Sequence, residues 1–129
     1  MATGLENLNI YKLAAELEVE VFHLTKKFPH DEIYRSTDQL RRSSASVSNN
    51  IAESYHKRSI KEKVRILNDI VKGEAEETRK NLEICLKKGF HNDREIPEKY
   101  LSLLKMVSGY IRFVKEQKPT NISTKKPIN

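Results

Sequence analysis

Apolar residues recur along this chain at steps of three and four, in four separate stretches. The first carries Ile10, Ala14, Leu17, Val21, Leu24 and Phe28, widened by Leu13. That is the spacing of one face of an amphipathic helix. Asn7 or Asn9 supplies an N-cap, Lys26 and Lys27 suit the last turn, and Pro29 stops the helix. The second stripe is Leu40, Ser44, Val47, Ile51 and Tyr55, flanked by Ala45, Ser48 and Ala52. Its serines compete with helix by bonding their own backbone. The period nevertheless runs through them without a Gly or Pro, and predicts a helix ending near His56. His30 to Ser36 is then a short connection, with Asp31 or Ser36 able to cap this second helix.

A third helix opens at Ser59, where Ser59 and Glu62 match a capping box. Its stripe is Ile60, Val64, Leu67, Val71, Ala75, Thr78, Leu82 and Cys85, with Ile70 and Leu86 alongside. Gly73 stands inside it, at a cost of about 1 kcal/mol against Ala, which points to a close packing contact. Lys87-Lys88-Gly89 closes it with a basic last turn and a C′ glycine. Residues 90 to 95 are a polar turn. Pro97 fits the first turn of a fourth helix built on Tyr100, Leu103, Leu104, Val107, Ile111 and Val114. The expected fold is all-α, an antiparallel up-down-up-down four-helix bundle over residues 1–118, with a disordered basic tail over 119–129.

Composition narrows the class further. The chain has 129 residues, enough for one apolar core. Four Gly, four Pro and no Trp argue against a sandwich or barrel. No apolar run approaches the roughly 20 residues that span a bilayer, and the N-terminus lacks a signal pattern. A cytoplasmic protein without membrane contact is expected. The formal charge of +6 favours polyanionic partners.

Catalytic and metal chemistry find little support. Cys85, the only cysteine, reads as a small core residue. Glu20 and His23 form one Glu-x-x-His pair, but a di-metal bundle needs a second, so no metal or cofactor is expected. The serines of residues 43–48 stand in no Gly-x-Ser-x-Gly turn and read as helix-packing residues. Glu74, Glu76 and Glu77 read as a solvated face pairing with Arg79 and Lys80. The chain is read as no enzyme. Its candidate site is cationic: Arg41 and Arg42 at one end of the second helix, and Lys57, Arg58, Lys61 and Arg65 at the turn into the third. Such residues contact phosphates without reading bases. Tyr55 is the only aromatic near them in sequence, which argues against base stacking.

The central stretch resembles a known family. Gln39-Leu40-Arg41-Arg42, Ser46-Val47 and Asn50-Ile51-Ala52-Glu53 match the Q-L-R-R-x-x-x-S-[IV]-x-x-N-I-A-E-G signature of bacterial four-helix-bundle proteins encoded in 23S rRNA intervening sequences. Phe28-Pro29 and Lys72-Gly73 with Glu77 also resemble it. Ser54 stands where the family usually has glycine, and Glu74 where a small residue is usual. The resemblance implies a homopentamer, and similarity to the accessory variability protein of diversity-generating retroelements, which associates with nucleic acid and a reverse transcriptase. Apolar residues beyond one stripe, such as Leu13, Ile70, Leu86 and Leu103, are an independent hint of subunit contact. The expected function is a non-enzymatic oligomeric protein binding RNA or RNA–DNA phosphates through a basic surface. The alternative is a protein-interaction scaffold, such as an accessory subunit for a reverse transcriptase.

Overall fold

The first stripe builds α1, Asn9–Thr25, in a computed structural model that describes residues 4–117. A 3-10 turn, Leu5–Asn7, precedes it. Leu8 holds the cap position and no side chain caps the helix, so neither asparagine serves as expected. The helix also ends a turn early. Phe28 lies beyond it, in a turn closed by its N–H on Thr25 O (3.1 Å), yet stays buried.

The connection is ordered rather than irregular. A 3-10 turn, His30–Glu32, and a π turn, Ile33–Thr37, lead into α2, Asp38–His56. Glu32 is the capping residue, accepting from Ser36 N–H (3.4 Å) and from Arg35 Nη2 (3.1 Å). Asp31 and Ser36 were the expected caps; Ser36 is the donor in this arrangement.

The serine-rich run is helical because its hydroxyls return to carbonyls one turn back. Ser43 donates to Leu40 O, Ser44 to Arg41 O and Ser54 to Ile51 O (2.8 Å). Ser43, Ser44, Ser48 and Ser54 are all buried, which excludes them as exposed nucleophiles and lets neighbouring helices approach. Two hydroxyl hydrogen bonds tie these serines to the neighbouring rods. Ser48 donates to Glu18 Oε1 on α1 (2.6 Å), and Thr78 on the third rod donates to Ser43 Oγ (2.7 Å).

The third rod is continuous: α3, Ile60–Ile66, a π turn, Leu67–Val71, and α4, Lys72–Lys87. Ser59 caps it by accepting from Glu62 N–H (3.0 Å). The π turn widens the helix and shifts its phase. Ile66 and Leu67 are therefore both buried, whereas the spacing picked out Leu67 alone. Gly73 makes no close approach: a Cβ there would meet nothing within 4 Å. The rod ends at Gly89, whose φ of 83° is left-handed. Gly89 N–H bonds Leu86 O and Phe90 N–H bonds Cys85 O, a Schellman closure.

The polar turn after Gly89 is pinned by His91. Its Nε2 lies 2.9 Å from Leu82 O, and Asp93 N–H donates to its Nδ1 (3.0 Å). The ring stacks on Phe28. Asp93 Oδ1 then accepts from Glu95 and Ile96 N–H, starting α5, Glu95–Glu116, with Pro97 buried in its first turn.

α2 packs between α1 and α4, and α5 closes the ring between α4 and α1. Successive rods alternate in direction, which makes an up-down-up-down four-helix bundle. The core holds Leu17, Val21, Leu40, Val47, Ile51, Leu67, Leu82, Tyr100, Leu103 and Val107. Leu103 belongs to that core and Leu13 packs against it, so these two are no sign of a subunit contact. Cys85 is wholly enclosed, and burial pushes its thiol up. No helix among the described residues is long and apolar enough to cross a membrane. The tail expected over 119–129 lies outside the described residues.

Candidate nucleic-acid interface

The fold divides the six cationic candidates between opposite ends of the bundle. α2 is one uninterrupted helix, so Arg42 and Lys57 stand about 22 Å apart along its axis at 1.5 Å per residue. Arg41 and Arg42 share an end with the last turn of α1. Lys57, Arg58, Lys61 and Arg65 share the other with the start of α1 and the last turns of α5.

At the first end Arg41 is committed to the fold. Its Nε donates to Thr25 Oγ1 (2.8 Å), its Nη2 reaches Phe22 O (3.4 Å), and its guanidinium lies 4.6 Å from the Phe22 ring centroid. It therefore satisfies the open carbonyl end of α1. Arg42 is well exposed but pairs loosely with Asp38 (3.6 Å). It lines a cleft of about 720 Å³ between α2 and α4 with Tyr34, Arg35, Ser43, Ser46, Glu74 and Glu77. Glu74 thus faces this cleft and not the core. The cleft has mixed charge, which weakens it as a polyanion site.

At the second end the cations are freer. Lys57 pairs loosely with Glu53 (3.7 Å). Arg58, Lys61 and Arg65 are exposed and make no ion pair or hydrogen bond with the described residues. Lys63 behaves differently. Its Nζ donates to Tyr55 O (2.9 Å) and Ser54 O (3.3 Å), closing the carbonyl end of α2, and burial lowers its pKa. Arg112 and Lys115 approach from the last turns of α5 and Lys12 from the first turn of α1. Spacing along the sequence leaves these three out because they are remote along the chain. Antiparallel topology alone brings them to this end.

The same topology brings aromatics. The last turns of α5 place Tyr110 and Phe113 at the end that holds Tyr55, with Tyr110 beside Leu8 and Ile10 at the start of α1. Tyr110 and Phe113 stack with centroids 6.1 Å apart. The expectation that Tyr55 stands alone holds in sequence and fails in space.

The remaining candidates take structural parts. Glu20 pairs with Lys99 on α5 (3.3 Å) and His23 is exposed against Phe22. Among the described residues no group of three or more His, Cys, Asp or Glu is placed to hold a metal. Arg79 bridges Glu76 (2.6 Å) and Glu83 (3.0 Å) along α4, which lowers the Glu76 carboxyl and raises Arg79.

The sequence profile of the family described as 23S rRNA-intervening sequence protein matches residues 6–111. No curated protein matches the chain.

Proposed function

The chain belongs to the 23S rRNA-intervening sequence protein family, and from that premise we propose a non-enzymatic protein that binds nucleic acid phosphates through one end of its bundle. The observation that carries this reading is the group Arg58, Lys61 and Arg65. They are exposed cations from neighbouring turns, free of internal carboxylates among the described residues. On α3, Lys61 and Arg65 are four apart and share a face. Lys57, Lys12, Arg112 and Lys115 extend the field, and Lys118, Lys125 and Lys126 come after α5 in the sequence. The family's description names 23S rRNA, which supports RNA as the nucleic acid. Assembly as a homo-oligomer, a pentamer by resemblance, would multiply the +6 of each chain and add avidity.

A salt-titrated binding series with a labelled structured RNA tests this. Each phosphate contact adds about 0.7–0.9 to the slope of log K against log salt. The variant Lys57→Ala/Arg58→Ala/Lys61→Ala/Arg65→Ala should bind more weakly and flatten that slope while melting like the parent. Undiminished affinity in a folded variant removes the assignment of this surface.

A further inference from the structure

Among the described residues three Phe or Tyr rings are exposed, and one of these is uncovered at the end that carries Arg58, Lys61 and Arg65. Phe22 already carries Arg41 at 4.6 Å and Lys26 at 4.7 Å over its ring. Tyr34 projects at 88% exposure, but its cleft sets Asp38, Glu74 and Glu77 against Arg35 and Arg42, a mixed lining with no excess of positive charge. Phe113 is 54% exposed, with no cation over its ring among the described residues, at the end that carries Arg58, Lys61 and Arg65. Tyr110, half-buried, stacks against it at a 28° interplanar angle. A Phe in that position buries little against its own bundle.

We propose that this end takes unpaired nucleotides of a single strand, with a base stacking on Phe113 and the cations of the same end holding the phosphates. The inference rests on the nucleic-acid reading above and narrows its ligand. Bases inside a duplex are stacked on one another and offer no free face. An unpaired base has one, and stacking it recovers apolar area on both partners. Cations and an uncovered ring at one end of the bundle supply charge and stacking together, as single-strand binding requires. The Tyr110 ring beneath fixes Phe113 from its inner side, so less ring freedom is lost on binding.

Fluorescence anisotropy on the full chain decides the matter, with labelled oligouridine, oligodeoxythymidine and an RNA duplex of equal length. Phe113→Ala should weaken both single strands by roughly tenfold or more. Duplex affinity and the salt slope should stay as in the parent, and Phe113→Trp should restore single-strand binding. Equal loss on RNA and DNA marks base stacking as the shared chemistry, and a loss confined to RNA assigns the site to ribonucleotides. Tyr34→Ala, at the other end, should change nothing. If Phe113→Ala binds single strands like the parent while Arg58→Ala/Lys61→Ala/Arg65→Ala is weakened, stacking is overturned and phosphate binding stands. If the parent binds none of the three probes, the reading beneath fails and this inference with it.

Discussion

The Tyr100 hydroxyl is enclosed in the core with no hydrogen-bond partner among the described residues, and burial raises its pKa well above the usual phenol range. An unsatisfied buried hydroxyl costs about 1–3 kcal/mol. Tyr100→Phe removes that oxygen and keeps the ring, so the variant should match or exceed the parent in stability, by up to about 2 kcal/mol. A urea midpoint lower than the parent's would show that the hydroxyl has a partner after all. Glu32 is the opposite case, a polar group with its needs met. Hydrogen bonding from Ser36, with help from Arg35, holds its carboxyl below the ordinary 4.5. A depressed carboxyl contributes stability that is present above the unfolded value and lost as pH falls through the folded one. Thermal melts should therefore drop below pH 4.5, and Glu32→Gln should show a shallower drop there with a lower Tm at neutral pH. Parallel acid profiles for parent and variant would remove Glu32 from the account of acid sensitivity.

At the scale of the element, the stop of α4 depends on Gly89. Its φ of 83° lies where a Cβ meets the next carbonyl, at a cost of about 1–2 kcal/mol. A Cβ at Gly89 meets no neighbour within 4 Å, so strain in the backbone is the whole penalty. Gly89→Ala should lose about 1 kcal/mol by denaturant titration, whereas Gly73→Ala, helical and in open space, should gain by a similar amount. Equal effects of the two changes would contradict the Schellman assignment. These features were legible because side-chain chemistry announces them: a C′ glycine, the Ser59 cap, and stripes at steps of three and four. The π turns at Ile33–Thr37 and Leu67–Val71 were not. Whether an N–H bonds four or five residues back is settled by tertiary packing, and apolar spacing carries no mark of it. The early end of α1 has the same cause. Phe28 reaches the core from a turn, stacked on His91 and tilted against Phe90, so its burial mimics one more helical step.

For the molecule as a whole, the bundle was readable and the site only partly so. Sequence proximity grouped Arg41 and Arg42 with Lys57 and Arg58 because all four flank one helix. The length of that helix separates them, and Thr25 takes Arg41 out of the solvent-facing set. Antiparallel topology works in the other direction, joining residues near 12, 58 and 113 that no local pattern connects. Both ends are rich in Lys and Arg, and both interleave acids with them: Asp38, Glu83, Glu95 and Glu98 at one, Glu53, Glu62 and Glu116 at the other. A charge-matched pair of variants separates field from site. Lys57→Ala/Arg58→Ala/Lys61→Ala/Arg65→Ala and Lys26→Ala/Lys27→Ala/Lys87→Ala/Lys88→Ala remove the same formal charge from a +6 chain. If binding followed net charge alone, both would weaken RNA affinity equally. With contacts localised to the second end, the first variant should lose on the order of ten- to a thousandfold at low salt. The other should stay within about threefold of the parent, since charges beyond a Debye length of about 10 Å are largely screened. Equal losses would mean that the bundle attracts RNA as a diffuse cation and that neither end is a site.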